Sequence, residues 1–152
     1  MYYFGHGTPY SFGADSTHHI TYSDLLTNLH NFPGSRIPTN SHPYKLVFLD
    51  GCLTGGGPLC EGFGIPSGQY DTNFFLLSGV RTRAYIGYTK EISFNPDQWA
   101  FRANMLQSFW SNWFYGHSMH YIVTNCQKAF ATAPMDSSAI IYGATNMFIG
   151  NY

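Results

Sequence analysis

A thiol and an imidazole are the residues of this chain best placed to do chemistry. Cys52 closes the run Lys45-Leu46-Val47-Phe48-Leu49-Asp50-Gly51-Cys52, and Leu53-Thr54-Gly55-Gly56-Gly57 follows it. A short apolar run bounded by turn residues reads as a buried strand. The glycines beyond it mark a sharp turn. The thiol is therefore presented at the carboxyl end of a core strand, where open α/β sheets build their sites. The amino terminus has the same shape, with Met1-Tyr2-Tyr3-Phe4 running into Gly5-His6-Gly7. His6 and Cys52 are 46 residues apart, which is room for one crossover helix, so their strands can be parallel neighbours. A cysteine needs a base or a positive neighbour to populate its thiolate near neutral pH, and His6 is the natural supplier. The N–H groups of Gly7 and Cys52 could together form an oxyanion hole. The competing reading of Cys52 is a buried structural cysteine; Gly51 before it and the glycines after it favour a presented nucleophile.

The elements that must position these groups alternate along the chain. A polar loop is expected from Thr8 to Thr17. A helix follows, capped by Thr21 or Ser23, with Leu25, Leu26 and Leu29 on one face and Pro33-Gly34 at its end. The nucleophile strand is Leu46 to Asp50. Leu53 to Tyr70 is rich in Gly and Pro and reads as a long loop over the sheet rim, of the kind that binds or covers. Asp71 caps a short helix through Phe74 to Leu77, closed by Gly79. Ala84 to Tyr88 is a third strand, and Thr89 to Asn95 the loop after it.

Asn95-Pro96-Asp97 is a strong helix start. Trp99, Ala103, Leu106, Trp110 and Trp113 recur at helical spacing as an apolar face, and Gly116 stops the helix. Another helix runs from about Ser118 to Ala131, with Tyr121, Ile122, Cys126, Ala129 and Phe130 facing inward. Ser138 to Tyr142 and Met147 to Ile149 are expected to pair around a Gly143 to Asn146 turn. Strands alternate with helices throughout, so the class is α/β with a mainly parallel sheet. No internal repeat or linker divides residues 1–152, which read as one domain.

Composition narrows the function. The chain has 152 residues, 44% of them hydrophobic and 18% aromatic, with only 10% charged, so it is long and apolar enough for a real core. The net charge is −1 with no basic run, which argues against nucleic acid. No apolar stretch is long enough to span a membrane, and nothing resembling a signal peptide opens the chain. Low charge with many Tyr, Asn, Ser, Thr and Gly leans toward an exported parent protein. Three cysteines, Cys52, Cys60 and Cys126, do not make a simple disulfide framework, and their spacing is not that of a zinc site. His18-His19 reads as loop, not as a metal ligand pair.

Strand-His6-Gly7 followed by strand-Asp50-Gly51-Cys52 resembles the caspase-like cysteine peptidases, closest to the gingipain and clostripain side and to CHAT-type domains. Ser78-Gly79 before Ala84 to Tyr88, the long helix, and Ile140-Ile141-Tyr142-Gly143 are similar too and come in the same order. The resemblance implies a three-layer fold with helices flanking the sheet. It makes His6 the catalytic histidine and Cys52 the nucleophile of a thioester mechanism. It makes Asp50 the acid of the S1 pocket, selecting Arg or Lys; the reading from the residues alone is equally a carboxylate accepting backbone N–H bonds in the turn. Leu53-Thr54 stands where caspases carry Arg-Gly, so an Asp preference is not implied. Calcium is a cofactor in several such families, but no site for it is identified here, and the chemistry needs no metal. The family fold carries strands and a helix before the histidine strand. The chain therefore reads as truncated at its N-terminus, with a sheet edge open to the missing segment or to another chain. The alternative is an inactive or latent module of the same kind, acting in protein–protein interaction.

Other motifs are weaker. Gly5-His6-Gly7-Thr8 resembles the histidine block of subtilisin-like proteases, but no serine block follows. Gly116-His117-Ser118-Met119-His120 resembles a nucleophile elbow, but lacks its closing glycine and a later histidine. Tryptophans at helical spacing are core residues, not a carbohydrate platform.

Overall fold

The computed structural model describes residues 1–15, 17–30, 44–74, 82–92, 99–129 and 138–148. In chain order they form β1 (Tyr2–Phe4), β2 (His6–Gly7), β3 (Ser11–Gly13), β4 (His19–Thr21), α1 (Tyr22–His30), β5 (Leu46–Asp50), α2 (Leu59–Gly62), β6 (Gln69–Tyr70), β7 (Ala84–Tyr88), α3 (Trp99–Phe114), α4 (Met119–Ala129) and β8 (Ala139–Ala144). The fold is mixed α/β. Its main sheet has the order β1-β5-β7-β8-β6. β1, β5 and β7 run parallel, as do β6 and β8, while β7 and β8 are antiparallel.

The central strands are apolar except for Asp50 at the end of β5, because both of their faces are covered. Val47 and Leu49 point to one side, into a cluster with Phe12, Leu25, Leu59, Phe63 and Tyr85. Phe48 points to the other, among Ile86, Met105, Phe109, Trp113 and Ile122 from β7, α3 and α4. Each such side chain taken out of water contributes about 1.5–3 kcal/mol. The strands expected at Leu46 to Asp50 and Ala84 to Tyr88 form over those same residues.

Helix α1 starts as its sequence predicts. Asp24 accepts the Thr21 N–H at 2.8 Å, and Thr21 Oγ1 accepts the Asp24 N–H at 3.1 Å, a reciprocal cap. Its Leu25 packs against Gly62 of α2, where a Cβ would come within 2.9 Å. Helix α3 ends at Gly116, whose φ of +82° suits glycine, and the Ser118 side chain accepts the Tyr121 N–H at 3.3 Å at the start of α4.

Four expectations are corrected. Thr8 to Thr17 is not merely loop: β2, β3 and β4 form a separate three-stranded antiparallel sheet, and His19 belongs to β4. Leu53 to Tyr70 contains α2 and β6. The last strand does not turn back on Met147 at Gly143. β8 continues through Gly143 and pairs with β7 and β6 instead. Gly143 stands there because a Cβ would strike the Arg83 carbonyl and come within 2.8 Å of Ile65. Finally, Ala103 and Tyr121 are exposed, not inward-facing. The helix residues expected after Asp71 are helical at 72–74. The expected helix ends at Pro33-Gly34 and Gly79, the Asn95-Pro96-Asp97 start, Phe130 and Ile149 lie outside the described residues.

Candidate functional site

The two loops that carry His6 and Cys52 leave the same rim of adjacent parallel strands. Tyr2 pairs with Phe48 and Phe4 with Asp50. Continuing that offset of 46 residues aligns His6 with Cys52 in chain position, two residues beyond each strand end. The loops meet backbone to backbone. A Cβ at Gly7 would sit 2.7 Å from the Cys52 carbonyl oxygen and against the Thr54 methyl. A Cβ at Gly51 would sit 2.8 Å from the Gly5 carbonyl oxygen. Farther out, Gly57 lies against the Pro9 carbonyl group. The glycines around the cysteine therefore serve the close approach of two loops as much as turning.

The cysteine loop is tightly tethered. The Thr54 hydroxyl reaches the carbonyl oxygens of Leu49 and Gly51, each at 2.9 Å. Tyr85 donates to the Thr54 carbonyl at 2.6 Å, and Tyr142 to that of Gly55 at 2.9 Å. Leu53 N–H donates to Lys90 and Gly55 N–H to Tyr88, at 3.0 and 2.8 Å. Within this frame Leu53, next to the thiol, adopts φ +57°, a left-handed conformation that costs a branched residue about 1–2 kcal/mol. The half-buried Cys52 thiol accepts the Ile92 N–H at 3.1 Å and lies 3.3 Å from the Ile92 carbonyl oxygen, to which it can donate. The other two cysteines are buried; burial pushes the Cys60 thiol up to about 12 and raises that of Cys126. A thiol that stays protonated is a poor nucleophile.

His6 begins the small sheet. Its side is exposed, and with Gly7, Ser11, Asp15 and His19 it lines an open cleft of about 570 Å³. Tyr3 Oη holds this corner, donating to the Gly13 carbonyl at 2.6 Å with the His6 carbonyl at 3.2 Å. Cys52 is not among the residues lining that cleft.

Asp50 is completely buried. Arg102 from α3 makes an ion pair with its Oδ1 and donates from Nε to Oδ2 at 3.3 Å. Tyr2 Oη donates to Oδ2 at 2.9 Å, and the buried Tyr88 also hydrogen-bonds to the carboxylate. Burial pushes the Asp50 carboxyl above the ordinary range; the Arg102 charge, then the Tyr2 hydrogen bond, pull it back. Burial first, then the Asp50 charge, raises the phenols of Tyr2 and Tyr88, so both remain donors.

Arg102, Tyr2, Thr54 and Ile92 were not singled out by the sequence. One signal was available: Arg102 is the single charged residue of α3, and a cation in such a helix needs a partner. Among the described residues, no group of three or more His, Cys, Asp or Glu side chains could hold a metal ion. Among them too, no helix is long and apolar enough to cross a membrane. No family model matches this chain, and neither does any curated protein or solved structure.

Proposed function

We propose that this chain is a cysteine endopeptidase domain of the caspase-like kind, acting after Arg or Lys. The observation that carries the reading is the parallel register of β1 with β5, with the His-Gly and Gly-Cys loops in contact beyond it. In the proposed reaction the Cys52 thiol leaves its hydrogen bonds with Ile92. Its sulfur adds to the scissile carbonyl carbon as its proton passes to His6. The N–H groups of Gly7 and Cys52 hold the oxyanion. Collapse breaks the carbon–nitrogen bond, and His6 returns the proton to the departing amine. Water then adds to the thioester; the carbon–sulfur bond breaks, releasing the carboxylic acid and restoring the thiol. Asp50 is the acid that pairs with the basic side chain before the cleaved bond.

Hydrolysis of fluorogenic peptides ending in Arg or Lys tests this directly. The wild type is expected to turn over, and Cys52→Ala to lose about 10⁴-fold or more in kcat. Equal rates, or no turnover by either, count against an enzyme. Asp50→Asn is expected to hurt basic substrates selectively; an unchanged preference removes the S1 role.

A second reading, a latent or inactive interaction module, is favoured by two contacts: the thiol is engaged by Ile92 and the Asp50 carboxylate by Arg102. It predicts peptide binding without cleavage by the wild type.

A further inference from the structure

The surroundings of Asp50 are those of a receptor for one planar cation. Both carboxylate oxygens face the Arg102 guanidinium, and Nη2 also lies 3.4 Å from the Asp50 carbonyl oxygen. The Phe4 ring covers one face, with the guanidinium carbon 4.7 Å from its centroid. Tyr2 Oη donates to Oδ2, the oxygen that Arg102 Nε also meets. A carboxylate fork, a carbonyl and an aromatic face together match a guanidinium more closely than an ammonium. The site is at the sheet rim, two residues before Cys52. Phe4, against the guanidinium, is 47% exposed, while Asp50 beneath it is fully buried. The Arg102 side chain closes the site and is itself 12% exposed.

We infer that Asp50, Tyr2 and Phe4 form a guanidinium site, and that Arg102 fills it as an internal stand-in for a substrate arginine. The consequence for catalysis deepens the peptidase reading and rests on it. An entering arginine replaces one guanidinium by another. Asp50 thus never becomes a buried, unpaired charge, the state that would make opening costly. Arg102 is carried on a long flexible stem that can swing outward while its methylenes stay on the apolar surface. Competition is therefore reversible and selective. An arginyl peptide displaces Arg102 better than a lysyl peptide, because lysine cannot reproduce the fork. A substrate without a cation displaces it poorly. Arg102 in this account sets how hard the site is to enter; it touches no reacting atom.

Two measurements on the whole chain test this. The first is binding, read as the rise in unfolding temperature on adding millimolar methylguanidine or methylammonium. Arg102→Ala is expected to be stabilised saturably by methylguanidine and less by methylammonium. The wild type and the Asp50→Asn/Arg102→Ala double variant are expected not to respond. No saturable response in Arg102→Ala, or one that survives loss of the carboxylate, overturns the site. The second is kinetic. Arg102→Lys keeps the charge and loses the fork, so it serves if Arg102→Ala does not fold. It is expected to lower KM for arginyl peptides several-fold with kcat little changed. An unchanged KM in an active enzyme overturns the stand-in role and leaves the peptidase reading intact. Saturable methylguanidine binding with no cleavage by any form sinks the peptidase reading and leaves the guanidinium site standing.

Discussion

Cys52 and His6 leave the same rim, but the regions around them are built in opposite ways. The cysteine loop is held by Thr54 from within and by Tyr85, Tyr142 and the β7 backbone from outside. Thr54, Gly55 and the strand ends beneath them are buried. The histidine side passes at once into a small sheet whose His6, Thr8, Tyr10, His18, His19 and Ile20 are all exposed. Its turns are closed by local polar contacts: Thr8 Oγ1 accepts the N–H groups of Tyr10 and Ser11, and Asp15 those of Thr17 and His18. The difference teaches that the Cys52 loop is fixed directly by the core, while the small sheet is anchored to that core through Phe12 and is otherwise held by its own polar contacts.

Substitutions can break that contrast. Gly7→Ala strikes where the two regions touch, since its methyl would meet the Thr54 methyl and the Cys52 carbonyl. We expect a loss of about 3 kcal/mol, the upper end of overpacking costs, read from the denaturant midpoint; an unchanged midpoint would show that the loops can part. Thr54→Val acts on the cysteine side alone. It keeps the shape and removes the hydroxyl between Leu49 and Gly51, for an expected cost of about 1–2 kcal/mol. Thr54→Ser should recover most of it, and failure to do so would shift the credit from the hydroxyl to the methyl. Asp15→Asn acts on the histidine side alone and should give the smallest effect. The amides of Thr17 and His18 are expected to exchange faster with solvent while the unfolding midpoint stays put. A shift of that midpoint would mean that the small sheet and the core unfold as one unit.

What could be read from the sequence follows the same division. β5 and β7 were legible to the residue because burial on both faces writes an unbroken apolar run. The start of α1 was legible because its chemistry is local, with Thr21 or Ser23 as the cap; the structure takes Thr21, bonded to Asp24. β2 and β3 were not, since strands of two and three residues are too short to show alternation. β8 was misread because glycine usually signals a turn, and Gly143 instead answers to the Arg83 carbonyl, just before the neighbouring strand β7. His6, Gly7, Asp50 and Cys52 could be nominated from motif and spacing. The groups that engage two of them could not: the Ile92 backbone meets the Cys52 thiol from 40 residues away, and the Arg102 side chain meets Asp50 from 52. Only folding joins such pairs.

The bare contact between Gly7 and the Cys52 carbonyl has a consequence for how this molecule can vary. Main chain rests there on main chain with only the Thr54 methyl beside it, so little side chain is left to trim or extend and the gap between the loops is closely set. Diversity must therefore come from what hangs on the frame: the length of the hairpin turns, the ring at position 4, the cation at position 102. Under the proposed function, a relative with a different substrate preference would be expected to keep those glycines and exchange the fittings around them.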